Sequence, residues 1–505
     1  MALIIYPPTI DWTYMRQRPQ HLMNQFAKDA HTVLFFNKSN HQGNLLEEVE
    51  QNLFVINHAQ FFLDHIQPLL TEKKLYWTSW SKKIPFAREF NSSHTVYDCV
   101  DDFPDWEEEE KKWIHEVDDI ICTASLLMKK MKRLSPSAPI ALVPNGCDWE
   151  FFHASRSISI DSLEGLPQVK GPKIGYIGAW APWVDQDIIG MLADRFPTGQ
   201  ILIVGPMLTP EKIDKPNIHY LGYRDYLELP AILAYFDICI IPFKLNRITE
   251  STNPVKVYEY LSAGKTVVST NLPELKKMNP YVDIGATPEI FVSLVSKAVK
   301  YRKNPSYLAS YAKQFSWEER YKSIIQSISN NFPDVHIKDP HTPILLRSSN
   351  FEIEEHPFNH STVNSYYETK NLQQDPPFIG GKPLGVYQCY LQSPKYDRPF
   401  DHQHIYLDFD MSYPQELEEV KVAISYTLET WNPGTITFGN KPAVIPYKEL
   451  AWKEGINTTY SVEITELVSN LGRLPNFHLS SSTNFHIRLD NPRLSYFRKM
   501  NEVKK

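Results

Sequence analysis

The sequence predicts an α/β chain with two doubly wound, Rossmann-like domains facing a cleft, followed by an all-β sandwich of jelly-roll type. Three observations predict it. Up to about residue 325, short apolar runs alternate with helical patterns, in two series separated by the polar stretch 154–171. Such alternation implies parallel sheets covered on both faces. Beyond residue 345 the hydrophobic period changes to two, with Pro, Gly and Asn turns between runs, the pattern of an antiparallel sandwich. Finally, 505 residues are too many for one hydrophobic core.

The first series consists of LIIYPP (3–8), TVLFFN (32–37), TVYDCVDD (95–102), DIICTAS (119–125) and IALVPNG (140–146). The second consists of KIGYIGA (173–179), QILIVGP (200–206), IHYLGY (218–223), DICIIPF (237–243) and TVVST (266–270). Helical patterns such as RPQHLMNQFAKD and ELPAILAYF fall between them. The expected domains are 1–165 and 166–314, with the nucleotide side on the second. An amphipathic closing helix (315–332), a Pro-rich linker (333–345) and the β-domain (346–505) complete the chain. In open α/β sheets ligands bind at the carboxyl ends of the strands, where the loops gather.

Composition narrows the function. A net charge of −7 argues against a nucleic-acid partner, which would need a basic domain or stripe. Five scattered cysteines without CxxC spacing read as reduced thiols of a cytoplasmic protein. The start MALIIYPPTIDW lacks the features of a signal peptide, and no apolar run approaches the ~20 residues of a membrane span. The sequons at Asn91 and Asn457 are therefore read as unused.

The stretch ESTNPVKVYEYLSAGKTVVST (250–270) carries the chemistry. Asn253 suits an N-cap and Pro254 the first helical position, while Gly264 suits the left-handed residue that ends a helix. The predicted helix, about 254–263, leaves amide groups free around Ser251, Thr252, Asn253 and Val255, an end that attracts a diphosphate. Glu259 lies further along, on the face of Val255, Lys256 and Ser262. A carboxylate there accepts hydrogen bonds from two vicinal hydroxyls, such as those of a ribose. The plainer alternative is an exposed Glu259–Lys256 ion pair at i, i+3.

NPVKVYEYLSAGKTVVS, taken with IGYIGAW, ILIVGP, IHYLGYRDYLELPAILAYFDICIIPF and LVPNGCDWEFF, resembles the GT-B glycosyltransferases of the retaining, glycogen-synthase-like type. The resemblance covers about residues 1–330, and QRPQHL with VYDCVDDF is similar to a bacterial subgroup acting on cell-surface polysaccharides. It implies that Glu259 contacts the ribose of a nucleotide sugar and that the helix start holds its diphosphate, with Lys256, Arg224 and Arg247 as basic candidates. It implies no cofactor and no metal, because helix ends and basic residues neutralise the donor in this fold. The family often carries a second glutamate eight positions before Glu259, where this chain has Ser251, with Glu250 beside it.

Further candidates follow from position. Asp98, Asp101 and Asp102 stand where a strand runs out. By the resemblance this loop faces the anomeric carbon, so Asp101 or Asp102 would be catalytic, ahead of Asp98; the alternative is a helix cap before DWEEEEKKW. Arg16, Arg18 and His21, around Pro19, form either a phosphate or acceptor site or a solvated basic turn. Gly178 ends a strand where a missing side chain admits a ligand; Trp183 reads as core. Asp185 has no assigned role, and Tyr176, Tyr223 and Leu221 are candidates for a base pocket.

The basic amphipathic run LLMKKMKRL is either a solvated helix face or a peripheral contact with anionic lipid at the inner membrane face. Trp431, Trp452, Tyr447, Tyr387 and Tyr390 are stacking candidates if the β-domain resembles a carbohydrate-binding module; otherwise it packs or dimerises, giving a homo-oligomer. The leading expectation is a metal-independent glycosyltransferase acting on a nucleotide sugar and a saccharide or lipid-linked saccharide. A non-catalytic glycan-binding scaffold and a sugar-nucleotide epimerase are the alternatives.

Overall fold

The computed structural model describes residues 2–336 except 40–42, 159–165 and 168–170, and beyond these 346, 351–357, 360–364, 378–379, 382–383, 387–392, 404–412, 420–427, 450–452, 458–471, 474, 476–481 and 488–499. These residues cluster into two compact units. One holds Met1–Lys38, Glu48–Val55 and Gln67–Ile344; the other holds Ser39–Glu47, Ile56–Ile66 and Leu345–Lys505.

The first unit contains two sheets with GT-B-like, Rossmann-type topology. The strand order of the N-terminal sheet is Leu46–Glu50, Leu53–Ile56, Thr32–Phe36, Ala2–Tyr6, Lys73–Thr78, His94–Cys99, Asp119–Cys122 and Ile140–Leu142. From Thr32–Phe36 to Ile140–Leu142 the pairing is parallel throughout. Thr32–Phe36 is buried at every position, as a parallel strand covered on both faces must be. Lys73–Thr78 was not among the expected strands, because its alternation is hidden behind Lys73 and Lys74.

The second sheet runs Ile218–Tyr220, Gln200–Val204, Lys173–Ile177, Ile238–Ile241, Thr266–Thr270 and Val282–Gly285, all parallel. This is the 3-2-1-4-5-6 order of a dinucleotide-type fold. The switch point lies beside Lys173–Ile177, next to the strand that precedes the 250–270 stretch.

The expected closing helix forms as Trp317–Ile328, with the Ser316 hydroxyl accepting the Glu319 amide. Trp317, Tyr321, Ile324 and Ile328 lie on one face at helical spacing and enter the N-terminal core beside Phe26 and Trp77. The chain thus crosses back from the second domain to the first. Within the expected linker, Pro333–His336 forms a 3-10 turn, and Val335 is buried in that same core. Residues 337–345 lie outside the described residues.

The second unit contains two five-stranded sheets in which each described pairing is antiparallel. One is ordered Thr458–Glu463, His404–Ser412, Arg488–Lys499, Phe351–Pro357, Gly43–Asn44. The other is ordered His360–Asn364, Tyr387–Gln392, Asn476–Ser481, Val420–Thr427, Leu450–Trp452. Gly43–Asn44 and Ile56–Ile66, drawn from within the first 165 residues, join this unit, which no local pattern signalled.

His58 helps tie that excursion down. Its Nδ1 accepts the Phe61 amide at 3.1 Å, so Nε2 carries the proton and faces Asp408 Oδ1 at 3.3 Å. The Ser461 and Ser495 hydroxyls also donate to the buried Asp408. With hydroxyl and carboxylate sharing one ring nitrogen, this Ser–His–Asp set is a buried latch and not a nucleophile relay. Of the stacking candidates, Trp431 and Tyr447 lie outside the described residues. Tyr387, Tyr390 and Trp452 fall on strands whose side chains there are likewise outside them.

Candidate functional site

The helix in the 250–270 stretch spans Val255–Ser262. Its cap is Pro254, with no side-chain cap hydrogen bond, and not Asn253 as expected. Asn253 is buried and turned to the other domain. Its Oδ1 accepts the Asn145 amide at 2.9 Å and the Tyr258 hydroxyl at 3.0 Å, and its carbonyl accepts Asn145 Nδ2 at 2.6 Å. The side chain proposed for the donor therefore locks the two domains together. Gly264 has the expected left-handed backbone, φ 71°.

Val257 to Ser262 are buried, whereas Val255 and Lys256 are half-buried. Buried Tyr260 fixes the helix by bonding the Ile177 amide at 2.7 Å. The amides of Val255 and Lys256 have no partner within the helix, as at any helix start.

Glu259 is 2% exposed, so the exposed-pair alternative fails on burial, although Lys256 Nζ does lie 3.1 Å from its Oε2. That approach is poorly directed: Oε2 has no hydrogen-bond donor among the described residues. Among the other buried polar atoms in this state are Arg16 Nε and Tyr226 Oη. They belong to one neighbourhood. The Arg16 guanidinium lies 5.5 Å from the Tyr226 ring. Burial first, then the Glu259 carboxylate, pushes the Tyr226 hydroxyl far up. Buried polar atoms are seldom left without partners, which makes this neighbourhood a candidate place for a polar ligand.

His21 borders the same region. It is buried, stacks on Trp317 at 5.0 Å and 14°, and lies 5.5 Å from the Tyr226 ring. Burial, then the charges of Arg16 and Lys256, hold its imidazole well below the ordinary value, hence neutral near pH 7. His21 is therefore a wall and not a phosphate-binding cation. Arg18 is also corrected: it is 3% exposed and its Nε binds the fully buried Asp98 at 2.8 Å. Its Nη1 reaches the Pro144 carbonyl and Asn145 Oδ1 at 3.3 Å. It is a strut between the first helix and two strand ends.

The acidic loop divides in the same way. Asp101 Oδ1 accepts the Thr252 hydroxyl at 3.1 Å, just before the helix start. Burial, the largest influence, raises its pKa; the Thr252 bond opposes this and Asp102 reinforces it. Asp102 instead binds Lys130 Nζ at 2.6 Å and Arg247 through two contacts of 2.9 Å. Burial alone would raise its pKa, but the Arg247 and Lys130 bonds outweigh it and the carboxyl sits below its ordinary value. With two cations attached, Asp102 is an inter-domain clamp and not a free catalytic carboxylate. Arg247 is equally committed, to Asp102 and to Glu107 at 2.8 Å.

Other expected ligands move as well. The Ser251 hydroxyl is buried and donates to the Arg247 carbonyl at 2.6 Å, ending the short helix Arg247–Glu250. Arg224 pairs loosely with Glu228 at 3.4 Å. At Gly178 the space for a side chain is taken by Tyr176, whose hydroxyl would lie 2.5 Å from an added Cβ. That glycine thus serves internal packing, and buried Tyr176 belongs to the core and not to a base pocket. Asp185 caps the helix Gln186–Arg195. In the run LLMKKMKRL, Leu127 and Met131 are buried in the core, whereas Leu126 is exposed.

Sequence reasoning missed Tyr226, Asn145 and the Glu274 carboxylate that accepts the Ser125 amide at 2.8 Å. One signal was available for Tyr226. It sits in the loop leaving the carboxyl end of Ile218–Tyr220, as Arg16, Asp101 and Asn145 sit beyond the ends of their own strands.

Residues 171–291 match the family described as glycosyl transferases group 1. Over 182 residues the chain is 34% identical to the putative teichuronic acid biosynthesis glycosyltransferase TuaH of Bacillus subtilis (strain 168), covering 34% of this chain and 45% of that protein. It thus spans less than half of that curated relative. Sucrose-phosphate synthase of Thermosynechococcus elongatus superposes with TM-score 0.52 at 12% identity, over 66% of this chain and 99% of that one. Anabaena HepE, in complex with UDP and glucose, does so with TM-score 0.50 at 13% identity, over 65% of this chain and 99% of that one. These two likenesses concern the fold alone. Residues 171–291 thus match the group 1 glycosyltransferases, within an α/β part whose fold is GT-B-like.

Proposed function

We propose that the protein is a glycosyltransferase that moves a sugar from a nucleotide-diphosphate donor to a saccharide or lipid-linked saccharide during cell-surface polysaccharide synthesis, with retention of configuration. One observation carries the reading: the buried Glu259 carboxylate, 3.1 Å from Lys256 Nζ, keeps an oxygen without a hydrogen-bond donor among the described residues, in one neighbourhood with Arg16 and Tyr226. A ribose hydroxyl satisfies Glu259, and the diphosphate takes the amides at the start of Val255–Ser262 together with Arg16 and Lys256. Asp101, held by Thr252 next to that helix start, is the carboxylate positioned to stabilise charge at the anomeric carbon.

The relative's printed role in teichuronic acid biosynthesis supports the acceptor class. No described helix is long and apolar enough to cross a membrane, and in this reading the enzyme works at the cytoplasmic side without a metal. In this reading the second unit, which contains two antiparallel sheets, binds the glycan polymer.

The test is incubation with UDP-, GDP-, TDP- and ADP-sugars, with and without glycan acceptors, while nucleotide release is followed. Release with one donor, abolished by Glu259→Ala, supports the proposal. Glycan binding without release from any donor would favour a scaffold built on a transferase fold.

A further inference from the structure

The second unit carries a side-chain cluster that the transferase reading does not use. His65 comes from the Ile56–Ile66 excursion, His404 opens the strand His404–Ser412, and Glu463 ends the strand Thr458–Glu463. One ring nitrogen from each histidine and a carboxylate oxygen lie within 4.8 Å of one another. His404 Nδ1 is 2.8 Å from Glu463 Oε1, and His65 Nε2 is 3.5 Å from Oε2.

The supporting contacts fix the three groups. The two imidazoles approach to 3.9 Å between centroids, tilted by 41°. The Phe61 ring packs on both, at 4.7 Å and 5.2 Å. Thr465 donates to Glu463 Oε1 at 2.9 Å, and the Tyr406 hydroxyl lies 2.8 Å from His65 Nε2. Each histidine is a quarter exposed or less and Glu463 a third, so an ion can enter while the set stays oriented.

We propose that His65, His404 and Glu463 form a binding site for a divalent ion of the zinc type. Two imidazoles and one carboxylate are a ligand set suited to zinc, with the fourth position left to water or to the Tyr406 oxygen. In a tetrahedral site with bonds of about 2.0–2.1 Å, ligand atoms stand roughly 3.3 Å apart, so small side-chain rotations close the present spacing. Binding needs His404 as its Nε2–H tautomer, which turns the Nδ1 lone pair from the Glu463 hydrogen bond to the ion. Because the ligands come from distant parts of the chain, the ion would fasten the Ile56–Ile66 excursion to the β-sheet unit and stabilise the folded chain by mass action.

The test uses the full, untagged chain stripped with chelator and titrated with Zn2+, then with Co2+, whose visible absorption reports coordination. One ion per chain, a cobalt spectrum of tetrahedral intensity and a rise in Tm with Zn2+ are expected. His65→Asn, His404→Asn and Glu463→Gln should each weaken binding about 100-fold or more, since loss of even outer partners costs 10–100-fold. The stripped variants are checked for an unchanged circular dichroism spectrum; if one is misfolded, the other two decide, and Tyr406→Phe, which spares all three ligands, must keep the ion. Full binding by the folded variants, or no stoichiometric ion on the wild-type chain, overturns the proposal.

Discussion

Replacing Glu259 by Gln separates a ligand-binding carboxylate from a structural one. In the free protein Glu259 is buried with one oxygen lacking a donor, and a buried charge in that state costs stability. Removing one partner of a buried ion pair ordinarily costs about 3–5 kcal/mol because the other charge is stranded. Here the Lys256 side chain is 28% exposed, so its ammonium turns to water and that penalty does not arise. The free Glu259→Gln protein should therefore melt within about 1 kcal/mol of wild type, or above it. Binding should change the other way. A hydrogen bond to a charged acceptor contributes about 1.5–3 kcal/mol, so loss of one such bond weakens the cognate nucleotide about 10- to 150-fold. Calorimetric titration with UDP, GDP, TDP and ADP, beside thermal melts of the free proteins, reads both. A variant that is clearly destabilised but binds nucleotide as wild type would refute the assignment and make Glu259 a packing residue.

Asp101→Asn should lower turnover about 100-fold or more, the scale of losing one stabilising group at a reacting centre, while nucleotide affinity measured by titration stays near wild type; equal losses in both would place Asp101 in binding instead. The Asp102 carboxyl is held below its ordinary value of 3.8, so the stability it contributes is present above that value and is lost as pH falls through the lower folded value. Acid unfolding followed by fluorescence should begin at higher pH in Asp102→Asn than in wild type, and the difference should shrink in high salt, because Arg247 is 43% exposed. Arg18→Ala strands the fully buried Asp98 and should cost about 3–5 kcal/mol in urea unfolding; a much smaller loss would mean that water replaces the guanidinium there.

Much of the α/β architecture was legible because its signals are local. Apolar runs such as TVLFF and ILIV lie on parallel strands buried at most or all positions, and Gly264 ends its helix in the left-handed conformation that its position required. Glu259 was legible as a candidate because motif and helix end lie within a few residues of each other. Lys73–Thr78 and Val282–Gly285 escaped notice because charged or polar residues interrupt their apolar pattern.

The division of labour among the charged residues was decided by tertiary structure alone. Asp101 and Asp102 are adjacent in the chain, yet one meets Thr252 and the other Lys130 and Arg247, across separations of 151, 28 and 145 residues. Arg16 and Arg18 are two apart, yet Arg16 lies against the Tyr226 ring and Arg18 is bound to Asp98. The sequence by itself determined which segments become strands and helices, since periodicity reports the face that each must bury. It could not determine which charge meets which, because Coulomb and hydrogen-bond partners are chosen by the packing of elements far apart in the chain, where a displacement of a few ångströms decides whether a carboxylate is clamped or free.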